Sequence, residues 1–173
     1  MYPQKKKKLS PLHFHERHMM KNDQLIDTLN DLVQISKDGE EGFRVCAEDA
    51  SERQAYYKTQ FLERSQACGQ SALELQNLVR ALGGEPTNHT TVSGALHRQW
   101  INIKSAIVGK DDEAILNECE RGEDAAVNAY RKALAEDLPS DVRLIVERQY
   151  QGVLANHDRV KALRDQVRAR KAA

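Results

Sequence analysis

Four residues in this chain have types and spacing that could do chemistry: Glu41, Glu120, Glu123 and His157. Two of them sit in the stretch 115–134. On helical spacing, Leu116, Glu120, Glu123, Val127, Tyr130 and Leu134 make one stripe there, which sets two carboxylates in the middle of an apolar and aromatic face. Ile115, Cys119, Gly122, Ala126, Ala129 and Ala133 form a second stripe beside it, mostly small enough to let a neighbouring helix come close. Acids on a core-facing stripe are costly unless they are paired, hydrogen-bonded or bound to metal. Three carboxylates and an imidazole in one interior layer would suit iron, manganese or zinc. The metal-free alternative is a buried hydrogen-bond network in which His157 and Tyr150 satisfy Glu120 or Glu123.

Helical periodicity supplies the elements that must position these groups. A first helix is expected over about 23–50, with Leu25, Leu29, Leu32, Ser36, Phe43 and Ala47 on one face and Ile26, Val33 and Val45 at its edges. Gly39 and Gly42 interrupt it beside Glu40 and Glu41. Each weakens the helix by about 1 kcal/mol relative to alanine, the mark of close packing or of function. Ser51 reads as a break and a new N-cap without a capping box, and a second helix follows over about 52–82. Its stripe is Phe61, Ser65, Cys68, Ala72, Leu75, Val79 and Leu82, and Gly83, Gly84 and Pro86 stop it.

A shorter connecting helix is expected over 92–108, with Leu96, Trp100, Ile103 and Ile107 on its face and Gly109 at its close. Asp111 and Asp112 then put negative charge at the start of a helix reaching about residue 137. Pro139 and Ser140 open the last helix, with Val142, Val146, Tyr150, Val153, His157 and Val160 on one stripe and a basic tail at 164–171. Four long helices, a connecting helix between the second and third, and no strand pattern make an all-α, ferritin-like four-helix bundle.

Levels along the helices tie the four site residues together. Glu41 lies about 10 residues before the first turn, roughly 15 Å down at 1.5 Å per residue, and Glu120 about 9 residues into the third long helix, roughly 14 Å. Glu120 and His157 are each about 17 residues from the last turn, so the expected layer holds Glu41, Glu120 and His157, with Glu123 one turn away. One feature opposes a two-metal centre. Di-iron bundles use a Glu-x-x-His motif on two helices, and no histidine here has a glutamate three residues before it. Glu63 and Glu147 have that spacing but meet Gln66 and Tyr150, and the second helix offers no inward ligand among Phe61, Ser65 and Cys68.

The totals bound the rest. With 173 residues there is room for one domain with a sizeable core, and 26 basic against 26 acidic residues leave no global field toward nucleic acid or membrane. Apolar runs fall far short of the roughly 18 residues a membrane span needs. Cys46, Cys68 and Cys119 read as buried free thiols in a reducing compartment, and without a leader the cytoplasm is the expected location. Asn88 and Thr90 match a glycosylation acceptor only formally. Residues 1–22 read as a flexible extension ahead of a bundle at 23–170. It carries Lys5, Lys6, Lys7 and Lys8, suited to weak, salt-sensitive nucleic-acid contact, and His13, His15 and His18, suited to adventitious metal capture. A second copy of the chain is the other expected partner.

Several pieces together are similar to a bacterial family of ferritin-like four-helix-bundle proteins of unknown function. They are Leu29-Asn-Asp-Leu32, Asp38-Gly-Glu-Glu-Gly-Phe43, Leu82-Gly-Gly-Glu-Pro86, Trp100, the stretch 115–130 with Cys119-Glu-Arg-Gly-Glu-Asp-Ala-Ala126 at its centre, and His157-Asp158. The resemblance covers about residues 23–165. It implies the bundle fold, a bacterial cytoplasmic setting and kinship with proteins of iron handling and stress, and it marks Glu41, Glu120, Glu123 and His157 as the polar signature. It implies no particular reaction. Some relatives carry a glutamate near the place of Ala67, which this chain lacks.

Overall fold

The computed structural model describes residues 20–88 and 94–173, without the side chains of Arg53 and of residues 94–99. Among them the chain is all-α. Five helices follow one another, α1 (Asn22–Asp49), α2 (Ala55–Ala81), α3 (Gly94–Gly109), α4 (Asp112–Ala135) and α5 (Ser140–Ala172), and no strand forms among the described residues. No helix among the described residues is long and apolar enough to cross a membrane. The lysines at 5–8, the histidines at 13, 15 and 18, and His89 and Thr90 lie outside the described residues, as does the side chain of Leu96.

Local chemistry sets the helix ends. Gln54 accepts hydrogen bonds at its Oε1 from Ser51 N (3.2 Å) and Ser51 Oγ (3.1 Å), fixing the 3-10 turn Glu52–Gln54 that leads into α2. The break at Ser51 is therefore a capping box after all, because glutamine serves at the third position as glutamate does. At the end of α2, Gly83 takes φ 80°, and the bonds Gly84 N→Val79 O (2.9 Å) and Gly83 N→Arg80 O (3.0 Å) close the helix in a Schellman turn. At the end of α3 the left-handed residue is Lys110 (φ 56°), one position beyond the expected Gly109. Asp111 caps α4, its Oδ1 accepting from Glu113 N (3.1 Å) and Ala114 N (3.3 Å).

Contacts at the ends define the chain's course. Asn22 Nδ2 donates to Leu82 O (3.2 Å), so α2 finishes beside the start of α1. Gln54 Nε2 donates to Ile107 O (3.1 Å), so α3 returns the chain to the α1–α2 turn. Lys171 Nζ donates to Glu113 Oε2 (3.1 Å), so α5 ends where α4 began. The helix α1 packs on α2, α3 and α4, and α4 on α3 and α5. Only a few close backbone approaches join α2 to α5, and none joins α2 to α4.

The apolar stripes face inward much as their spacing predicts, but in two separate clusters. One gathers Leu29, Leu32, Leu75, Val79, Val127 and Val146; the other gathers Phe43, Cys46, Phe61, Ile103, Ile115 and Cys119. Between them α1 carries Gly39 and α4 carries Glu123. The two glycines of α1 admit side chains from other helices. A Cβ on Gly39 would come 2.9 Å from Cys68 Sγ, and one on Gly42 would come 1.9 Å from Trp100 Cε2. The indole of α3 thus lies against bare α1 backbone, edge-on to Phe43 with ring centroids 5.1 Å apart.

Gly42→Ala is expected to destabilise the protein by about 1–3 kcal/mol despite alanine's better helix propensity, because the indole must move. Gly152→Ala, where nothing lies within 4 Å of the added carbon, is expected to stabilise by about 0.5–1 kcal/mol. Urea titrations of both variants, with Trp100 fluorescence as the probe, check the pair. Equal effects would contradict the close approach at Gly42.

Candidate functional site

Among the described residues Glu123 is the most deeply buried charged side chain, 1 % exposed. Its Oε1 accepts from Arg64 Nε (2.7 Å) and from Asn156 Nδ2 (2.8 Å), and its Oε2 accepts from Arg64 Nη2 (2.8 Å). This is a two-pronged guanidinium–carboxylate pair, the strongest geometry available to such groups. Arg64 comes from α2, Glu123 from α4 and Asn156 from α5, so one carboxylate gathers three helices. The α2 backbone makes no close approach to that of α4; the length of the arginine stem spans the gap. Burial works against the Arg64 charge, but the Cys68 sulfur and the Glu123 carboxylate outweigh it and hold the guanidinium above its ordinary pKa.

Glu120, one turn before Glu123, is also directed at an arginine: it pairs with Arg164 of α5, each side chain being less than a fifth exposed. The other two predicted ligands stand apart. Glu41 is exposed and bonded to Arg44 on its own helix (2.7 Å), whose hydrogen bond holds its carboxyl below the usual range. His157 faces Asp124 from Nε2 (3.1 Å) and Asp158 from Nδ1 (3.3 Å).

Among the described residues no group of three or more His, Cys, Asp and Glu side chains is placed to hold a metal ion. The expected layer is therefore only half assembled. Glu120 and Glu123 do turn inward on neighbouring turns, but the cation each meets is an arginine. An ion at Glu123 would have to displace Arg64 and Asn156, so the residues as placed do not fit a carboxylate metal centre. The misplacement of Glu41 is a matter of spacing: Ser36, Gly39 and Phe43 occupy the inward stripe, and position 41 points away from it. Arg64 and Asn156 escaped the sequence reading. Arg64 did leave a signal, standing three after Phe61 and four before Cys68 on the inward stripe of α2.

A second polar chain crosses the interior one to two turns away. Tyr130 donates from its hydroxyl to Gln149 Oε1 (2.9 Å), and Ser36 lies 3.4 Å from the same hydroxyl. Gln149 Nε2 donates to Glu74 Oε2 (2.7 Å), whose other oxygen pairs with Arg148. The hydrogen bonds thus run from α1 through α4 and α5 to α2. Burial pushes the Tyr130 hydroxyl up to about 12 and the thiols of Cys68 and Cys46 to about 11 and about 12. Cys119 is raised as well by its burial. Burial thus keeps this hydroxyl and these thiols in their neutral forms.

The fold and site together define an all-α protein whose interior is organised by ion pairs. The chain belongs to the family described as Domain of unknown function (DUF2383), whose model matches residues 24–136. That span includes Arg64, Glu120 and Glu123 but stops before α5, which supplies Asn156 and Arg164. No curated protein matches the chain.

Removing one partner of a buried ion pair strands the other charge. Arg64→Met is accordingly expected to cost about 3–5 kcal/mol, and Arg64→Met with Glu123→Met to recover most of that loss. Guanidinium denaturation of the two single variants and the double variant measures the coupling. A single-variant cost below about 1 kcal/mol would show that the pair is not the buried constraint described.

The three cysteines are free and buried. None is expected to react with a bulky aromatic disulfide reagent in the native protein, and all three should react in denaturant. Rapid native labelling of any one would contradict its burial.

Proposed function

We propose that this protein is a ferritin-like four-helix bundle that works as a non-enzymatic structural or interaction module. Its inward carboxylates are neutralised by arginines in place of a metal. The observation that carries this reading is Glu123, both of whose oxygens accept hydrogen bonds from Arg64, with Asn156 as a third donor. Four features favour the ferritin-like description: long helices, an α1–α2 hairpin, an α4–α5 hairpin, and α3 carrying the chain back between them. A catalytic metal needs an open coordination position among ligands free to bind it. A carboxylate committed to a guanidinium and an amide offers neither. Any partner is then met on the outer surface of the helices, with the interior serving to fix their relative positions.

Elemental analysis of tag-free protein carrying His13→Gln, His15→Gln and His18→Gln tests the reading, since those histidines could capture metal on their own. After anaerobic loading with ferrous iron, manganese or zinc and desalting, no stoichiometric metal is expected, and a chelator should leave the melting temperature unchanged. Stoichiometric metal that is lost in Glu123→Gln would overturn the proposal and restore the metal centre.

A further inference from the structure

The polar layer borders more than the ion pair. Beside it lies a small pocket of ≈ 30 Å³, partly open to solvent, with Gly39, Cys68, Trp100, Glu123 and Tyr130 among its walls. Trp100 is the chain's single tryptophan. Its Nε1 is buried and has no hydrogen-bond partner in the protein, the one such side-chain atom among the described residues. An orphaned donor of this kind costs roughly 1–3 kcal/mol, and native proteins seldom leave one unanswered. Trp100 has little freedom to turn away, because the bare backbone of Gly42 and the ring of Phe43 hold its indole.

We propose that this pocket is a built site for one bound water molecule, which accepts from Trp100 Nε1 and donates to Glu123 Oε2. The size is right: a water needs roughly 10–15 Å³ of such space. The chemistry selects water over other small guests. Trp100 presents a donor, so the guest must accept. Glu123 Oε2 accepts only from Arg64 Nη2 and keeps a lone pair, so the guest must also donate. A halide cannot donate, and a cation cannot accept from an indole N–H. The Arg64–Glu123 pair cancels its own charge, so the site favours a neutral molecule. Two bonds to the protein fall within the range of about two to four that ordered waters make. The bound water links α3, through its only indole, to the layer that joins α2, α4 and α5.

A crystal structure of the full chain should place a water oxygen about 2.9 Å from Trp100 Nε1. In solution, the single indole proton should show a cross-relaxation peak to water of the sign given by a long-lived bound molecule. Trp100→Phe keeps the ring packing and removes the donor, so its crystal structure should lose the water while the helices stay in place. Ala126→Leu, on the pocket wall, should fill the space and abolish the water cross-peak with the indole proton still protected. The inference is overturned by an empty pocket in the wild-type crystal, by an indole rotated so that Nε1 meets a protein acceptor or bulk solvent, or by a cross-peak that persists unchanged in a folded Ala126→Leu protein.

Discussion

An ionised carboxylate inside a helical core must find a counter-charge and hydrogen-bond donors, or give up its charge. Glu123 finds both, and much of the architecture follows from how. Its counter-charge sits on α2, whose backbone does not approach α4. Only a long side chain with donors in a rigid fork can cross that distance and still meet both oxygens, a requirement arginine satisfies and lysine does not. The pairing fixes the level at which α2 and α4 face each other, because sliding either helix by a turn, about 5.4 Å, would break both prongs at once. Asn156 adds the same demand on α5.

The seam between α2 and α5 shows what such pairs are for. The backbones there approach closely at few points, and long polar side chains bridge the gap: Arg148 to Glu74, Gln149 to Glu74 (2.7 Å) and Arg159 to Gln60 (3.2 Å). The other seam of α2 is different. At α1 and α2, glycines and small residues let the helices interlock, with Cys68 seated against Gly39. Close packing therefore holds α2 to α1, and polar bridging holds it to α5. The more exposed bridges, Arg148–Glu74 and Arg159–Gln60, add little stability individually, so the buried Gln149–Glu74 bond and the Glu123 carboxylate, which meets Arg64 of α2 and Asn156 of α5, set the register of α2 and α5.

The distribution of what was readable in the sequence has a physical cause. Helix existence, order and inward faces were legible because burial imposes a 3.6-residue period on apolar positions such as Leu25, Leu29 and Leu32. The inward turn of Glu120 and Glu123 was legible for the same reason. Their partners were not, since Arg64 precedes Glu123 by 59 positions and Arg164 follows Glu120 by 44. Periodicity within one helix says nothing about which side chain of another lies opposite. Arginine compounds the difficulty: its apolar stem fits a core stripe while its charged head suggests solvent. Level arithmetic located the layer along the helices but not around them, which is why Glu41 shares a height with the site and faces the opposite way.

The same logic explains why a metal centre and an ion-pair layer look so alike in sequence. Both put carboxylates on inward stripes at matching heights, and both require a buried cation to make that tolerable. What separates them is the source of the cation. A metal site must leave carboxylate lone pairs free and hold their positions open before the ion arrives, at a cost in repulsion between like charges. An arginine layer carries its cation in the chain and is complete as soon as the helices close. In this protein Glu123 and Glu120 each already meet a guanidinium, and the repulsion between them is relieved by residues of α2 and α5. The carboxylates alone do not tell the two designs apart. The arginines on the facing helices do.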